Sequence, residues 1–349
     1  MLVLFVVSAG AATARPAGAQ QSAACVRSVP SGTIVDKEGF TFPNGRTLRR
    51  EPCAGVENTA LPSPHADWTN VDYPVYYQGC DNGWPQPPGF PYPPGCPWGA
   101  RATQTLTATL KVPPEPETQA DQILYWNIRV DRVDPDGGGQ PPEQPYTNMI
   151  SAGVNWNNNQ SGSKWTTCVW HWATLLPVDI AEFSEPIEVS PGDIVTASIT
   201  RTATGYTGTV NTAGSAGRQS TMHVNMATDY AQPLLALQAT FFEPNKKPAD
   251  CAKLPTGPMI MSEVAISPMP GTAAQPAFVS LATSSDIFRI CKWTQTPTGM
   301  LPFRVPWPTD PWANRTFILN PPRKPPTPPP PPPSPQMYLC TSWNPPCQP

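Results

Sequence analysis

Proline partitions this chain before any other signal is read. A residue that fixes its own φ and carries no amide hydrogen is excluded from helix interiors and central strands. The 51 prolines are densest in two stretches. Trp84 to Trp98 reads Trp-Pro-Gln-Pro-Pro-Gly-Phe-Pro-Tyr-Pro-Pro-Gly-Cys-Pro-Trp, and from Pro321 the composition shifts again, with an unbroken proline run from Pro328 to Pro333 followed by Ser334-Pro335. The first stretch predicts a surface loop. The second predicts an extended polyproline II spacer outside the fold.

What lies between has a hydrophobic period of two. Thr103 to Val112 alternates β-branched and apolar residues, and similar runs follow at Gln122 to Val130, Met149 to Trp156, Trp165 to Leu175, Ile194 to Arg201, Gly208 to Asn211, Leu234 to Phe242, Met259 to Ile266, Ala277 to Leu281 and Ile287 to Trp293. Turn residues punctuate them, among them Asp136-Gly137-Gly138-Gly139, Ser190-Pro191-Gly192-Asp193 and Ala203-Thr204-Gly205. No window carries apolar residues at i, i+3, i+4 and i+7 for three turns, so crossover helices are not expected. The prediction is an all-β fold, an antiparallel sandwich or jelly roll of the concanavalin-like kind. The boundaries read as a signal peptide at 1–19, a Cys/Pro-rich irregular extension at 20–100, the β-sandwich at 101–296 and a disordered Pro-rich tail at 297–349.

The short apolar run Leu2 to Ala12 and the small residues Ala17-Gly18-Ala19 predict export, to the extracellular space, wall or matrix. Nine cysteines in an exported chain read as a disulfide framework with one thiol left over. Cys80–Cys96 and Cys340–Cys347 are the local pairs, Cys251–Cys291 and Cys25–Cys53 the longer ones, and Cys168, inside an apolar strand, is the candidate free thiol. Three histidines (His65, His171, His223) lack partners at ligand spacing, so neither metal nor cofactor is expected. Asn159-Gln160-Ser161 and Asn314-Arg315-Thr316 are glycosylation acceptors in a eukaryotic host. A net charge of −3 with 13% charged residues supplies no basic patch, which argues against nucleic acid and membrane surfaces as partners.

Five features taken in order resemble one family. Trp126 to Asp131 is a tryptophan-led strand running into aspartate; Met149 to Trp156 contains Ile150-Ser151-Ala152-Gly153; Trp170-His171-Trp172 follows; Ile187 to Ile194 holds a Gly-Asp turn; and Gln238 to Pro244 ends a strand on Glu243. Residues from about Tyr125 to Trp293 resemble the glutamic peptidases (eqolisins), secreted jelly-roll proteases of acidic environments. The resemblance implies an acid endopeptidase in which Glu243 activates water, and it puts Ser151 where the family carries the glutamine that stabilises the oxyanion. That departure matters, because an oxyanion donor is worth about 3 kcal/mol. Asn148, Asn155 or a water would have to compensate. His171 stands where the family's strand has glutamate.

The other residues singled out are Trp126, Asp131, His171 and Trp172 as contacts for a peptide substrate. Against each stands a plainer role: Glu243 as a solvated strand end before Pro244, His171 as a hydrogen-bonded sheet residue facing away from Trp170 and Trp172, and the tryptophans as core. Asp179, Glu182, Glu185 and Glu188 read as surface carboxylates beside prolines. The rival to a peptidase is a non-catalytic extracellular matrix or cell-wall protein that binds glycan or peptide in an aromatic groove.

Overall fold

The computed structural model describes residues 25–50, 68–77, 103–119, 123–132, 148–157, 163–175, 178–213, 217–226, 231–240, 251–269, 276–278, 291–296 and 315–322. Apart from one short 3-10 turn at Cys251–Lys253, the regular structure there is strand. A nine-stranded sheet runs, from edge to edge, β1 (Cys25–Val29), β10 (Val178–Ser184), β9 (Trp165–Leu175), β8 (Asn148–Trp156), β7 (Ile123–Arg132), β15 (Ala231–Thr240), β5 (Trp68–Tyr77) and β17 (Pro276–Phe278), with β11 (Ile187–Glu188) beside β9. A ten-stranded sheet runs β18 (Thr294–Thr296), β19 (Arg315–Asn320), β16 (Met259–Pro268), β6 (Thr103–Lys111), β12 (Ile194–Arg201), β13 (Gly205–Thr212), β14 (Gln219–Asn225), β2 (Thr33–Val35), β3 (Gly39–Thr41) and β4 (Thr47–Arg49).

Alternation decides which side chains meet between the sheets. Leu106 and Leu110 of β6 and Val195 and Ile199 of β12 pack with Trp126, Ile128, Ile150 and Val154 of β7 and β8 in one buried core. Each fully buried side chain of this kind contributes about 1.5–3 kcal/mol over leaving it in water. At the Ser190 to Asp193 turn, Asp193 donates its amide to the Ser190 carbonyl at 3.0 Å and Gly192 takes a positive φ of 93°, which is why glycine stands there.

The all-β sandwich is as the sequence predicts, but it reaches beyond residues 101–296. The segment predicted as irregular supplies β1 to β5, and β19 falls in the segment predicted as tail. A turn closed by the Thr33 amide on the Pro30 carbonyl (3.2 Å) takes the chain from β1 on the edge of one sheet to β2 in the other. Both of these strands pair in parallel, β1 with β10 and β2 with β14, whereas the hairpin-linked strands are antiparallel. Parallel pairing arises because the segment arrives from outside the sandwich rather than from a neighbouring hairpin. Cys251 and Cys291 form a disulfide and Cys168 is a buried free thiol, as expected. The other cysteine pairs involve residues outside the described ones.

Candidate functional site

The residues of interest sort by sheet face. Along β7, Trp126, Ile128 and Val130 point into the inter-sheet core, so Tyr125, Asn127, Arg129 and Asp131 occupy the opposite, outer face of the nine-stranded sheet. On β8 that face holds Met149, Ser151, Gly153 and Asn155, and on β9 it holds Cys168, Trp170 and Trp172. Ser151 registers with Arg129 on one side and Trp170 on the other. The apolar members of this face, with Phe183 and Ala181 of β10, form a second buried cluster separate from the core. Tyr125 stacks on Trp170 with ring centroids 4.4 Å apart, Trp170 stacks on Phe183 at 6.2 Å, and Trp172 meets Trp170 edge-on at 6.5 Å.

Ser151 is 0% exposed and its hydroxyl has no hydrogen-bond partner. Asp131 shares the face but is engaged by Arg129, whose Nη2 lies 2.6 Å and Nε 2.9 Å from Asp131 Oδ2. Trp172 is also on this face and buried. Two of the predicted substrate contacts are not. Trp126 is five residues from Asp131, an odd number, and therefore points the other way; it lies in the core and donates its indole N–H to the Ile260 carbonyl at 3.2 Å. His171 is likewise turned from Trp172 by alternation, with Nδ1 2.8 Å from Glu182 Oε2 and Nε2 2.8 Å from Asn148 Oδ1. Glu243 lies outside the described residues.

Glu182, expected on the surface, is fully buried and forms an ion pair with Arg50 as well as with His171. Burial pushes its carboxyl up, but the hydrogen bonds and positive charges of His171 and Arg50 outweigh this and hold it below the ordinary carboxylate range. Arg50 also donates to the Asp36 carbonyl at 2.9 Å and lies 5.0 Å from the Phe40 ring centroid. This network pins the end of the N-terminal segment to the nine-stranded sheet. On the outer face, burial pushes the Cys168 thiol up to about 12, against the opposing hydrogen bond that Asn155 Nδ2 donates to its sulfur at 3.0 Å. A thiol that stays protonated is no nucleophile at neutral pH. Burial raises the Tyr125 phenol as well, with Cys168 adding to it. Among the described residues no group of three or more His, Cys, Asp or Glu is placed to hold a metal ion.

β6 to β15, the strands that build this face and the core beneath it, coincide with a known sequence family. Residues 99–243 match the model of the Peptidase A4 family. This is the eqolisin family, the one that the five motifs resemble, and the match extends over that segment of the sandwich. No curated protein matches the sequence. Among solved structures, the chain is similar to scytalido-glutamic peptidase with a transition-state analogue inhibitor, at 13% identity, TM-score 0.36, covering 72% of this chain and 98% of that one. It is also similar to SCP-B, a member of the eqolisin family, in complex with the tripeptide Ala-Ile-His, at 11% identity, TM-score 0.34, covering 73% and 98%.

The sequence reading missed Asn127 and the Arg129–Asp131 pairing. Both follow from taking the parity of Ser151 across to β7, but that requires the β7–β8 register, which the sequence does not carry.

Proposed function

We propose that this chain is an exported, peptidase-like β-sandwich that binds extended polypeptide on the outer face of its nine-stranded sheet without cleaving it. The Peptidase A4 match supports polypeptide as the ligand class. The loss of hydrolysis is carried by one observation, the register line through Ser151. It runs Trp170, Ser151, Arg129, Leu234, so the β15 residue facing the Ser151 position across β7 is Leu234, 4% exposed and apolar. A general base must reach the same water as the oxyanion donor. Among the described residues no carboxylate occupies that line. Thr240, where β15 ends, is six residues further along, about 20 Å at the usual strand rise. The leader-like N-terminus and the Cys251–Cys291 disulfide support export. Glycan is the less favoured ligand, because Tyr125, Trp170 and Phe183 stack on one another instead of offering open ring faces.

A second reading keeps the chemistry: an acid endopeptidase in which Glu243 activates water and Ser151 stands in the oxyanion role. The family match running through Glu243 favours it. The deciding experiment incubates the purified chain and its Glu243→Gln variant with an unfolded protein substrate from about pH 2 to 7, and in parallel measures binding of a fluorescent unfolded polypeptide by anisotropy. Binding with no cleavage by either protein is the expected result. Acidic cleavage abolished in Glu243→Gln would establish the second reading, and absence of both binding and cleavage would overturn both.

A further inference from the structure

Residues 25–50 are added to the sandwich along one side, where β10 of one sheet lies beside β14 of the other. β1 pairs in parallel with β10, from Cys25 beside Ile180 to Val29 beside Ser184, and β2 pairs in parallel with β14, from Thr33 beside Met222 to Val35 beside Val224. The turn between them is fixed to β14 twice: the Gly32 amide donates to the Thr221 carbonyl at 2.8 Å, and the Thr221 amide donates to Ser31 Oγ at 3.0 Å. Val29, Val35 and Phe40 enter the same buried core as Met222 and Val224. Arg50 then reaches back to the buried carboxylate of Glu182 on β10.

Take this segment away and β10 and β14 become the last strands of their sheets on that side. An unpaired strand edge is a template for a strand from another chain, and adding an extended segment to such an edge is a recurrent mode of recognition. The segment is therefore held as a ligand is held: by two strand ladders, three apolar anchors and one buried ion pair, all to residues distant in the chain. The family match, residues 99–243, contains both acceptor strands and begins downstream of the segment.

The connection back to the sandwich leaves the choice of donor open. β10 and β5 are five strands apart in the nine-stranded sheet, about 24 Å at the usual strand spacing, whereas residues 51–67 can span up to about 56 Å when extended. Every copy of the chain carries the same segment, and its contacts are the same whichever copy supplies it. The tether favours the chain's own segment only through effective concentration, which is of millimolar order for short linkers and falls as they lengthen.

We propose that the β10–β14 side is a strand-acceptor cleft, filled by the chain's own residues 25–50 at low concentration and by the same segment of a second copy at high concentration, which joins two sandwiches by reciprocal exchange. Arg50 and Glu182 are the polar anchor of that exchange.

The test uses the full chain with a site-specific protease sequence inserted within 51–67. Unlabelled and 15N-labelled chains are incubated together at about 1 mM, diluted, cleaved, and weighed at once by native mass spectrometry. The same chains incubated apart and mixed only after cleavage give the baseline. The expected result is hybrid complexes above that baseline, a light segment on a heavy sandwich and the reverse. With Arg50→Met they should form at least tenfold faster, because the segment is released more readily. Hybrids at baseline in both the wild type and Arg50→Met would overturn the proposal by making the segment a fixed part of the fold. Loss of the segment from the sandwich as soon as the connection is cut would overturn it as well, since a cleft that accepts a second copy's segment must hold it without a covalent link.

Discussion

Arg50→Met isolates the contact that ties the N-terminal strands to the sandwich. Arg50 is 11% exposed at its side chain and Glu182 is 0% exposed, and among the described residues the carboxylate is paired with Arg50 and His171. Removing one partner of a buried pair costs about 3–5 kcal/mol, because a charge is left desolvated. His171 remains, 2.8 Å from the second oxygen, and Arg50 is at the rim, so about 2–3 kcal/mol is the figure to expect at neutral pH. For a domain of this size that is a fall in Tm of roughly 5–10 °C. Urea denaturation of the full chain measures it. The double variant Arg50→Met/Glu182→Leu should recover most of the loss, since removing both charges removes the orphan. The pH dependence has a definite sign. Glu182 has a folded pKa below its unfolded one, so its stabilisation is present above the ordinary carboxylate value, about 4.3, and is lost as pH falls through the lower folded value. Without Arg50 that loss begins at higher pH. A change below about 0.5 kcal/mol in Arg50→Met, or a double variant as unstable as the single, would refute the reasoning.

Gly153→Ala should cost about 1–3 kcal/mol in chemical denaturation, because the added methyl overlaps the Trp126 carbonyl and the Asn127 Cα on the neighbouring strand; a neutral result would mean that β7 and β8 are further apart than described. Cys168, fully buried with its thiol pushed up to about 12, should resist iodoacetamide at pH 8 in the native chain and react on denaturation, as read by intact mass; rapid native labelling would place it elsewhere.

Most strand runs from Thr103 to Ile266 were legible because alternation is a property of consecutive residues, although β10 and β14 were not read as strands. β1 and β2 were not legible, since each is short and is held to its sheet by an edge contributed by residues far away in the chain, such as Ile180 beside Cys25 and Met222 beside Thr33. Glu182 was misjudged for the same reason. Its neighbours in sequence mark a solvated edge, while Arg50, 132 residues away, is what makes its burial tolerable. His171 could be oriented relative to Trp170 and Trp172 from sequence, yet its partner Asn148 lies across a strand pairing that no local rule supplies.

For the candidate site the division is sharper. The eqolisin resemblance and the all-β class were present in the order of residues alone, because motifs and periodicity are local. Whether Trp126 or Trp172 belongs to the outer face, and whether Leu234 or a carboxylate stands across from Ser151, was decided by the tertiary structure. In a sheet a shift of one residue in register exchanges every side chain between faces, and register is set by the packing of two sheets against each other rather than by any single strand.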